Sequence, residues 1–161
     1  MKLLDTGTGN TKIRKTEKKA DNIRMASLSL MPDEIICPWC VKAGCKHLCL
    51  KESGFGRFDN VAQGRQRKTD YWHANQSEFL TQLRNELTNF KKLCNKTNVQ
   101  PVVRLNVLSD IQWERHGIPQ TFPTISFYDY TKLAQRLDKT PDNYRLMFSY
   151  SGTKAYQPQV K

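Results

Sequence analysis

Four of the five cysteines lie close together in the sequence, and they are its strongest chemical signal. They are Cys37, Cys40, Cys45 and Cys49, and their spacing is C-x2-C-x4-C-x3-C. Thiolates are soft ligands that suit zinc and iron–sulfur clusters. In a chain without a secretory signal, such clustering indicates metal binding rather than a disulfide framework. We therefore predict that these four cysteines are metal ligands.

The loop between these cysteines is short enough to wrap one metal centre. A C-x2-C pair reaches a single centre from a tight turn, and Gly44 permits the positive φ that folds the second pair back. We expect a 4Fe–4S cluster, with zinc as the alternative cofactor and with disulfides or free thiols as a third interpretation. His47 lies inside the loop and is a further candidate zinc ligand. Cys94 stands alone on an apolar helical stripe, where a free thiol packs as a small hydrophobe.

A second group of candidate residues lies at or near the ends of the predicted strands. Asp110 closes one strand, and Tyr130 and Lys132 end another, while Arg104 is a charged residue within an apolar strand. Parallel sheets and barrels bind ligands at the carboxyl ends of their strands. We predict that these four residues contribute to a cofactor-binding face that the cysteine loop shares. Taken singly, each is also typical of an ordinary strand-end or turn residue, and no catalytic residue is assigned.

The elements that must position these residues alternate between strands and helices. Strands are predicted at 25–31, 101–108, 124–130 and 144–150, and helices at 60–71, 77–94 and 132–137. This alternation predicts an α/β fold, either an incomplete (β/α) barrel-like sheet or a small open, mostly parallel sheet, with a cysteine-rich metal loop. Open sheet edges must be covered or paired. The sequence therefore also indicates a partner, either a second copy or another chain, that completes the sheet.

Length and composition favour one soluble domain. The chain has 161 residues, of which 38% are hydrophobic, and no stretch approaches the roughly 18 apolar residues that span a bilayer. We expect no membrane association, and no signal peptide because the first residues lack an apolar core. The predicted organisation is a basic, poorly ordered arm at 1–24, one α/β domain at 25–152 with its metal loop at 37–49, and a tail at 153–161.

The charge balance suggests an anionic partner. Lys and Arg number 26 against 15 Asp and Glu, which gives a net charge of +11. Such a field attracts polyanions. The basic run between Lys12 and Arg24 is first interpreted as a solvated tail, and the alternative is an arm that binds nucleic acid.

The order of these motifs resembles the bacteriophage gene product 88 family over about residues 8–152. The resemblance also extends, more distantly, to phage proteins of radical S-adenosylmethionine type. It implies a phage-encoded protein in the host cytoplasm, from a family whose members are often longer, so this chain is expected to lack a carboxyl-terminal portion. The matching pieces are Asn10-x-Lys12, Leu28-Ser29-Leu30-x-Pro32, the cysteine loop, Arg104-Leu105-Asn106, Ser109-Asp110, the segment 127–132, Asn143-Tyr144-Arg145-Leu146 and Phe148-Ser149.

Three functions follow from these observations. The first is a phage protein with a cysteine-ligated iron–sulfur cluster in a structural or redox role. The second is a zinc-stabilised nucleic-acid-binding module, and the third is a truncated radical S-adenosylmethionine-like enzyme. Radical enzymes of that type use C-x3-C-x2-C, whereas four cysteines would close the site. The spacing therefore favours the first function, and the sequence leaves open whether any reaction is catalysed.

Overall fold

A five-stranded sheet in the order β1-β2-β3-β4-β5 organises the chain. The computed structural model describes residues 1–7, 10–20, 22–45, 49 and 58–154. The strands are β1 (Leu4–Thr6), β2 (Ile23–Leu28), β3 (Gln100–Arg104), β4 (Ser126–Thr131) and β5 (Tyr144–Phe148). The α-helices are α1 (Thr11–Glu17), α2 (Asp59–Ala74), α3 (Gln76–Lys96) and α4 (Ile118–Thr121), and 3-10 helices span Trp113–His116 and Ala134–Lys139.

The sheet is open and mostly parallel. β1 pairs with β2 in the antiparallel direction, whereas β2, β3, β4 and β5 are parallel to one another. Each parallel neighbour is reached through a connection that contains at least one helix, as parallel pairing requires. The predicted α/β class is therefore confirmed in its open, mostly parallel form. A barrel-like arrangement is not confirmed, because the strand order ends at β1 on one side and β5 on the other.

The main core lies on one face of the sheet, under α3. Successive strand side chains point to opposite faces, so Val103 of β3 and Phe127 of β4 face this core, where both are buried. The predicted apolar stripe of α3 is confirmed, because its buried side chains join the same cluster. The buried residues of α3 are Phe79, Leu83, Leu87, Phe90 and Cys94.

Helix α3 begins where its sequence predicts. The side chain of Asn75 accepts a hydrogen bond from the amide of Glu78 at 3.2 Å, which satisfies one of the free N–H groups of the first turn. Trp72, at the end of α2, packs edge-on against Phe79 and Trp113, with ring centroids 5.2 and 5.4 Å apart. Among the described residues, no helix combines the length and the apolar character needed to cross a membrane.

The segment predicted as a poorly ordered arm contains β1 and α1. Leu3 and Leu4 are buried, and the carboxylate of Glu86 in α3 accepts hydrogen bonds from both of their amides at 2.8 to 3.1 Å. Asn10 caps α1, and Glu17 at its end accepts from the amide of Met25 at 2.7 Å. Glu17 thus supplies a hydrogen-bond acceptor to β2 at Met25, one residue beyond the last position that pairs with β1. The nucleic-acid contact predicted for this segment stays a prediction.

Replacing Glu86 should release β1 from the sheet. Glu86→Ala removes the carboxylate that accepts from the amides of Leu3 and Leu4, and hydrogen bonds to a charged group contribute about 1.5–3 kcal/mol each. We expect these amides to exchange with deuterium about 10-fold faster or more, measured by mass spectrometry of the amino-terminal peptide. Glu86→Gln, which keeps one carbonyl oxygen, should show a smaller increase. Unchanged protection in Glu86→Ala would mean that strand pairing alone holds β1.

Candidate metal centre

Consecutive turns carry the first three cysteines of the loop. The amide of Cys37 donates to the carbonyl of Asp33 at 3.0 Å, and the amide of Cys40 donates to the carbonyl of Cys37 at 3.1 Å. The amide of Cys45 returns to the carbonyl of Cys40 at 3.1 Å, and its thiol donates to the same oxygen at 3.6 Å. Gly44 adopts a φ of +68° immediately before this return, a conformation that glycine adopts without strain. The backbone therefore folds Cys45 back onto the Cys37–Cys40 turn.

Two contacts fix this turn segment to the rest of the fold. The carbonyl of the buried Ile36 accepts from the amide of Asp110 at 2.8 Å, which joins the loop to the segment after β3. The carboxylate of Asp33 accepts from the amides of Ile35 and Ile36 and lies 2.7 Å from His73 of α2. Burial raises the pKa of Asp33, but these hydrogen bonds outweigh that effect and hold the pKa below its usual value.

The thiol of Cys37 is affected by the charges of the other three cysteines of the loop. Burial raises its pKa to about 12, and the neighbouring thiols of Cys40, Cys45 and Cys49 and the carboxylate of Asp110 act in the same direction. All four groups are therefore within electrostatic reach of Cys37. In the absence of a cation, this environment keeps Cys37 protonated, because a thiolate there would be poorly solvated and repelled by its neighbours.

The predicted metal loop itself is not confirmed. Across the described ranges, no group of three or more His, Cys, Asp and Glu side chains is arranged to hold a metal ion. The cysteines are free thiols, and the predicted ligand His47 lies outside the described residues. Cys94 is fully buried in the main core, as its place on the α3 stripe predicts. The assignment of Cys37 and its three neighbours as ligands stays a prediction.

Asp110 belongs to a buried ion-pair network beside the loop. Its carboxylate binds the guanidinium of Arg136, the hydroxyl of Thr131 at 3.1 Å and the amide of Lys132 at 2.8 Å. Arg136 also donates twice to the carboxylate of Glu114, each time at 2.8 Å, and its side chain is only 3% exposed. Burial raises the pKa of Asp110, although the Lys132 amide and the Arg136 charge oppose this. We did not expect Arg136 or Glu114 from the sequence, since their partners are distant in the chain.

Lys132 connects β4, β5 and the cysteine loop. Its ammonium donates to the carbonyl of Ser149 at 2.7 Å and to the hydroxyl of Ser149 at 3.0 Å. Burial raises the pKa of Cys45, and the positive charge of Lys132 opposes that shift. Lys132 and Asp110 are therefore the two predicted face residues that the structure brings next to the cysteines.

Arg104 and Tyr130, the other two predicted face residues, form a separate pair. The guanidinium carbon of Arg104 lies 5.1 Å from the ring centre of Tyr130. Tyr130 is 45% exposed, whereas its neighbours Asp129 and Thr131 are buried. By strand alternation Tyr130 projects from the face opposite the main core. These two residues pack against each other on the second face of the sheet.

Asp129, which lies among the predicted strand-end residues but was not assigned to the site, is a buried acid. It is fully buried, and it accepts hydrogen bonds from the amide of Asn106 at 2.8 Å, the amide of Leu105 at 3.3 Å and the hydroxyl of Tyr144 at 3.0 Å. Burial raises its pKa to about 7 despite these hydrogen bonds. The sequence signal that could have identified Asp129 is an acidic residue at a core-facing position of a strand, two residues after Phe127.

Asn106 shapes the turn that presents Asp110. Its side-chain oxygen accepts from the hydroxyl of Ser109 at 2.9 Å, the amide of Ile111 at 3.0 Å and the indole N–H of Trp113 at 3.0 Å. Its side-chain nitrogen donates to the carbonyl of Ile111 at 2.9 Å. Asn106 is buried, so these bonds fix the conformation between β3 and the 3-10 helix.

Removing Arg136 should destabilise the whole carboxyl edge of the sheet. Arg136→Met leaves Asp110 and Glu114 buried without their cation, and breaking a buried ion pair costs about 3–5 kcal/mol. We expect a loss of this size in the free energy of unfolding, measured by urea titration. The triple variant Arg136→Met, Asp110→Asn, Glu114→Gln should recover part of it. Wild-type stability in Arg136→Met would show that the network is not needed for folding.

Asp129 should make stability depend on pH between its ordinary pKa of 3.8 and its folded value of about 7. The folded state binds more protons than the unfolded state in this range, so the contribution of Asp129 to stability falls as pH rises. Relative to Asp129→Asn, wild type should lose up to about 4 kcal/mol between the two ends of the range. Urea titrations of both proteins across the range measure this, and parallel curves would contradict it.

Comparison with known proteins identifies the family of this chain. The sequence model of a family described as Gene product 88 matches residues 1–160. No curated protein and no solved structure matches the chain, and the distant resemblance to radical S-adenosylmethionine proteins has no support from these comparisons. Because the match covers nearly the whole sequence, the chain belongs to the gene product 88 family of bacteriophage proteins.

Proposed function

We propose that this protein binds a metal centre through the thiolates of Cys37, Cys40, Cys45 and Cys49. The observation that carries the proposal is that the thiol of Cys37 lies within electrostatic reach of the other three. Thiols gathered in this way repel one another as thiolates, and a bound cation or cluster converts that repulsion into ligation. Metal binding would therefore stabilise the thiolate form of these four cysteines.

The positive charges around the loop support the same proposal. The charges of Lys132 and Arg65 act on the thiols of Cys45 and Cys49 respectively. A centre with four thiolate ligands carries net negative charge, and cations next to the ligands offset that charge and tune the metal. The second predicted face residue beside the loop, Asp110, is itself paired with the guanidinium of Arg136.

The number of ligands favours a structural or redox role over substrate activation. Four cysteine ligands close a site, whereas catalytic metal sites keep an open position. An iron–sulfur cluster is the first candidate, and zinc is the alternative that would make the centre purely structural. The reducing conditions of a host cytoplasm, the proposed location, keep such thiols available as ligands.

Cysteine replacement tests the proposed ligands. Alanine at position 37, 40, 45 or 49 should reduce the bound metal to a small fraction of the wild-type amount, because each replacement removes one of four ligands. Cys94→Ala is the matched control: this thiol is fully buried in the core, so its loss should lower stability and leave the metal content unchanged. The measurement is iron, sulfide and zinc content of protein purified without oxygen, together with its visible absorption.

The outcomes separate the alternatives. Iron and sulfide in equal amounts with broad brown absorption would identify a cluster, whereas stoichiometric zinc in a colourless protein would identify the structural alternative. Wild-type protein that holds neither metal after anaerobic reconstitution would contradict the proposal, as would metal loss confined to Cys94→Ala.

A further inference from the structure

The second face of the sheet, opposite the main core, is exposed from β3 to β5. The side chains that alternate away from the core include Val102 and Arg104 of β3, Tyr128 and Tyr130 of β4, and Met147 of β5. Tyr130 and Met147 are 45% and 42% exposed, and the other three are half-buried. Parallel sheets are usually covered on both faces, so this exposed face is a candidate binding surface. We call this surface the tyrosine face.

Aromatic rings and arginines alternate with each other on the tyrosine face. The strand register places Arg145 of β5 next to Tyr128, and Met147 next to Tyr130. From the other side, the guanidinium of Arg104 lies over the ring of Tyr130 and its charge acts on Tyr128. The face therefore presents two rings, each with an arginine beside it.

Arg104 is held in position but not fully paired. Its Nε atom is buried and has no hydrogen-bond partner, and the carboxylate of Asp129 lies 3.8 Å from it. The strand residues that share this face on β3, β4 and β5 include no Asp or Glu. The tyrosine face is thus aromatic and positively charged, on a protein whose net charge is +11.

We propose that the tyrosine face binds single-stranded nucleic acid, with bases stacked on Tyr128 and Tyr130 and phosphates attracted by Arg104 and Arg145. Aromatic rings on a sheet bind bases by stacking in other folds, and arginine adds attraction to the backbone. This surface is formed by β3, β4 and β5 rather than by the amino-terminal segment that the sequence offers as a nucleic-acid-binding arm, and it does not depend on a metal centre.

The geometry favours single strands over duplexes. Tyr128 and Tyr130 are two residues apart on one strand, which separates their side chains by about 6.6 Å. Bases in a duplex rise by about 3.4 Å, so bases must be unstacked from each other to cover both rings. A broad sheet surface also does not fit into a groove, which admits a helix or a two-stranded ribbon.

Charge argues against a second copy of this chain as the occupant. Pairing two tyrosine faces around a twofold axis would bring together two surfaces that each carry Arg104 and Arg145 and no strand Asp or Glu. Like charges placed opposite each other cost several kcal/mol at an interface. A polyanion satisfies the same surface without this cost.

The test is the affinity of the full chain for a fluorescein-labelled single-stranded oligonucleotide of about ten nucleotides, measured by fluorescence anisotropy. Tyr130→Ala and Tyr128→Ala should each weaken binding by about 5- to 100-fold, because each removes one stacking platform. Tyr130→Phe keeps the ring and should bind like wild type. The corresponding duplex should bind more weakly than the single strand.

Two variants that each remove one positive charge distinguish binding at the tyrosine face from non-specific attraction of nucleic acid to a basic protein. Arg145→Gln should weaken binding and reduce its dependence on salt, since one phosphate contact is lost. Lys92→Gln removes the same charge from an exposed position on α3 and should have a smaller effect. Photocrosslinking of wild type to an iodouracil-containing single strand should label the peptide that contains Tyr128 and Tyr130, whatever the stability of the variants.

Three results would overturn the proposal. The first is binding that Tyr128→Ala and Tyr130→Ala leave unchanged while Arg145→Gln and Lys92→Gln weaken it equally. The second is no binding of the wild-type chain at low salt. The third is a dimer in sedimentation velocity that Tyr130→Ala dissociates, which would make the tyrosine face an interface between copies.

Discussion

The carboxyl edge of the sheet depends on the ion pairs that the buried guanidinium of Arg136 makes. The guanidinium joins Asp110, from the turn after β3, to Glu114 in the following 3-10 helix, and it comes itself from the 3-10 helix after β4. The carboxylate of Asp110 in turn accepts from the amide of Lys132, and its own amide donates to the carbonyl of Ile36, immediately before the cysteine loop. Three connections of the parallel sheet therefore meet at the two ion pairs of Arg136, and burying these charges is tolerable only because each has a partner.

This edge also explains why the cysteines lie where they do. In a parallel sheet, loops that follow neighbouring strands emerge on the same side, so the loop after β2 meets the turn after β3. As a result, the charge of Asp110 acts on the thiol of Cys37, and the charge of Lys132 acts on the thiol of Cys45. A thiolate centre at this position would therefore lie beside charged residues from the segments that follow β3 and β4. The same network that stabilises the fold would limit movement of the proposed ligands.

The sequence predicts those parts of the fold that local patterns determine. Helix α3 was found because its apolar stripe and its Asn75 cap are encoded within one segment, and the meeting of Asp110 with the loop follows from parallel topology. Strand β1 was missed, since it has three residues and depends on Glu86, which is more than eighty positions away. The role of Arg136 was missed for the same reason, because its partners lie 22 and 26 residues earlier.

Asp129 connects the two faces of the sheet electrostatically. It is enclosed by the core on one side, through Tyr144 and the amide of Asn106, and its carboxylate lies 3.8 Å from Arg104 of the tyrosine face. Because burial raises the pKa of Asp129 to about 7, its charge changes close to neutral pH. An ionised Asp129 offsets part of the Arg104 charge, whereas a protonated one leaves that charge available to an anion on the tyrosine face. The protonation of this buried acid therefore changes the net charge around Arg104.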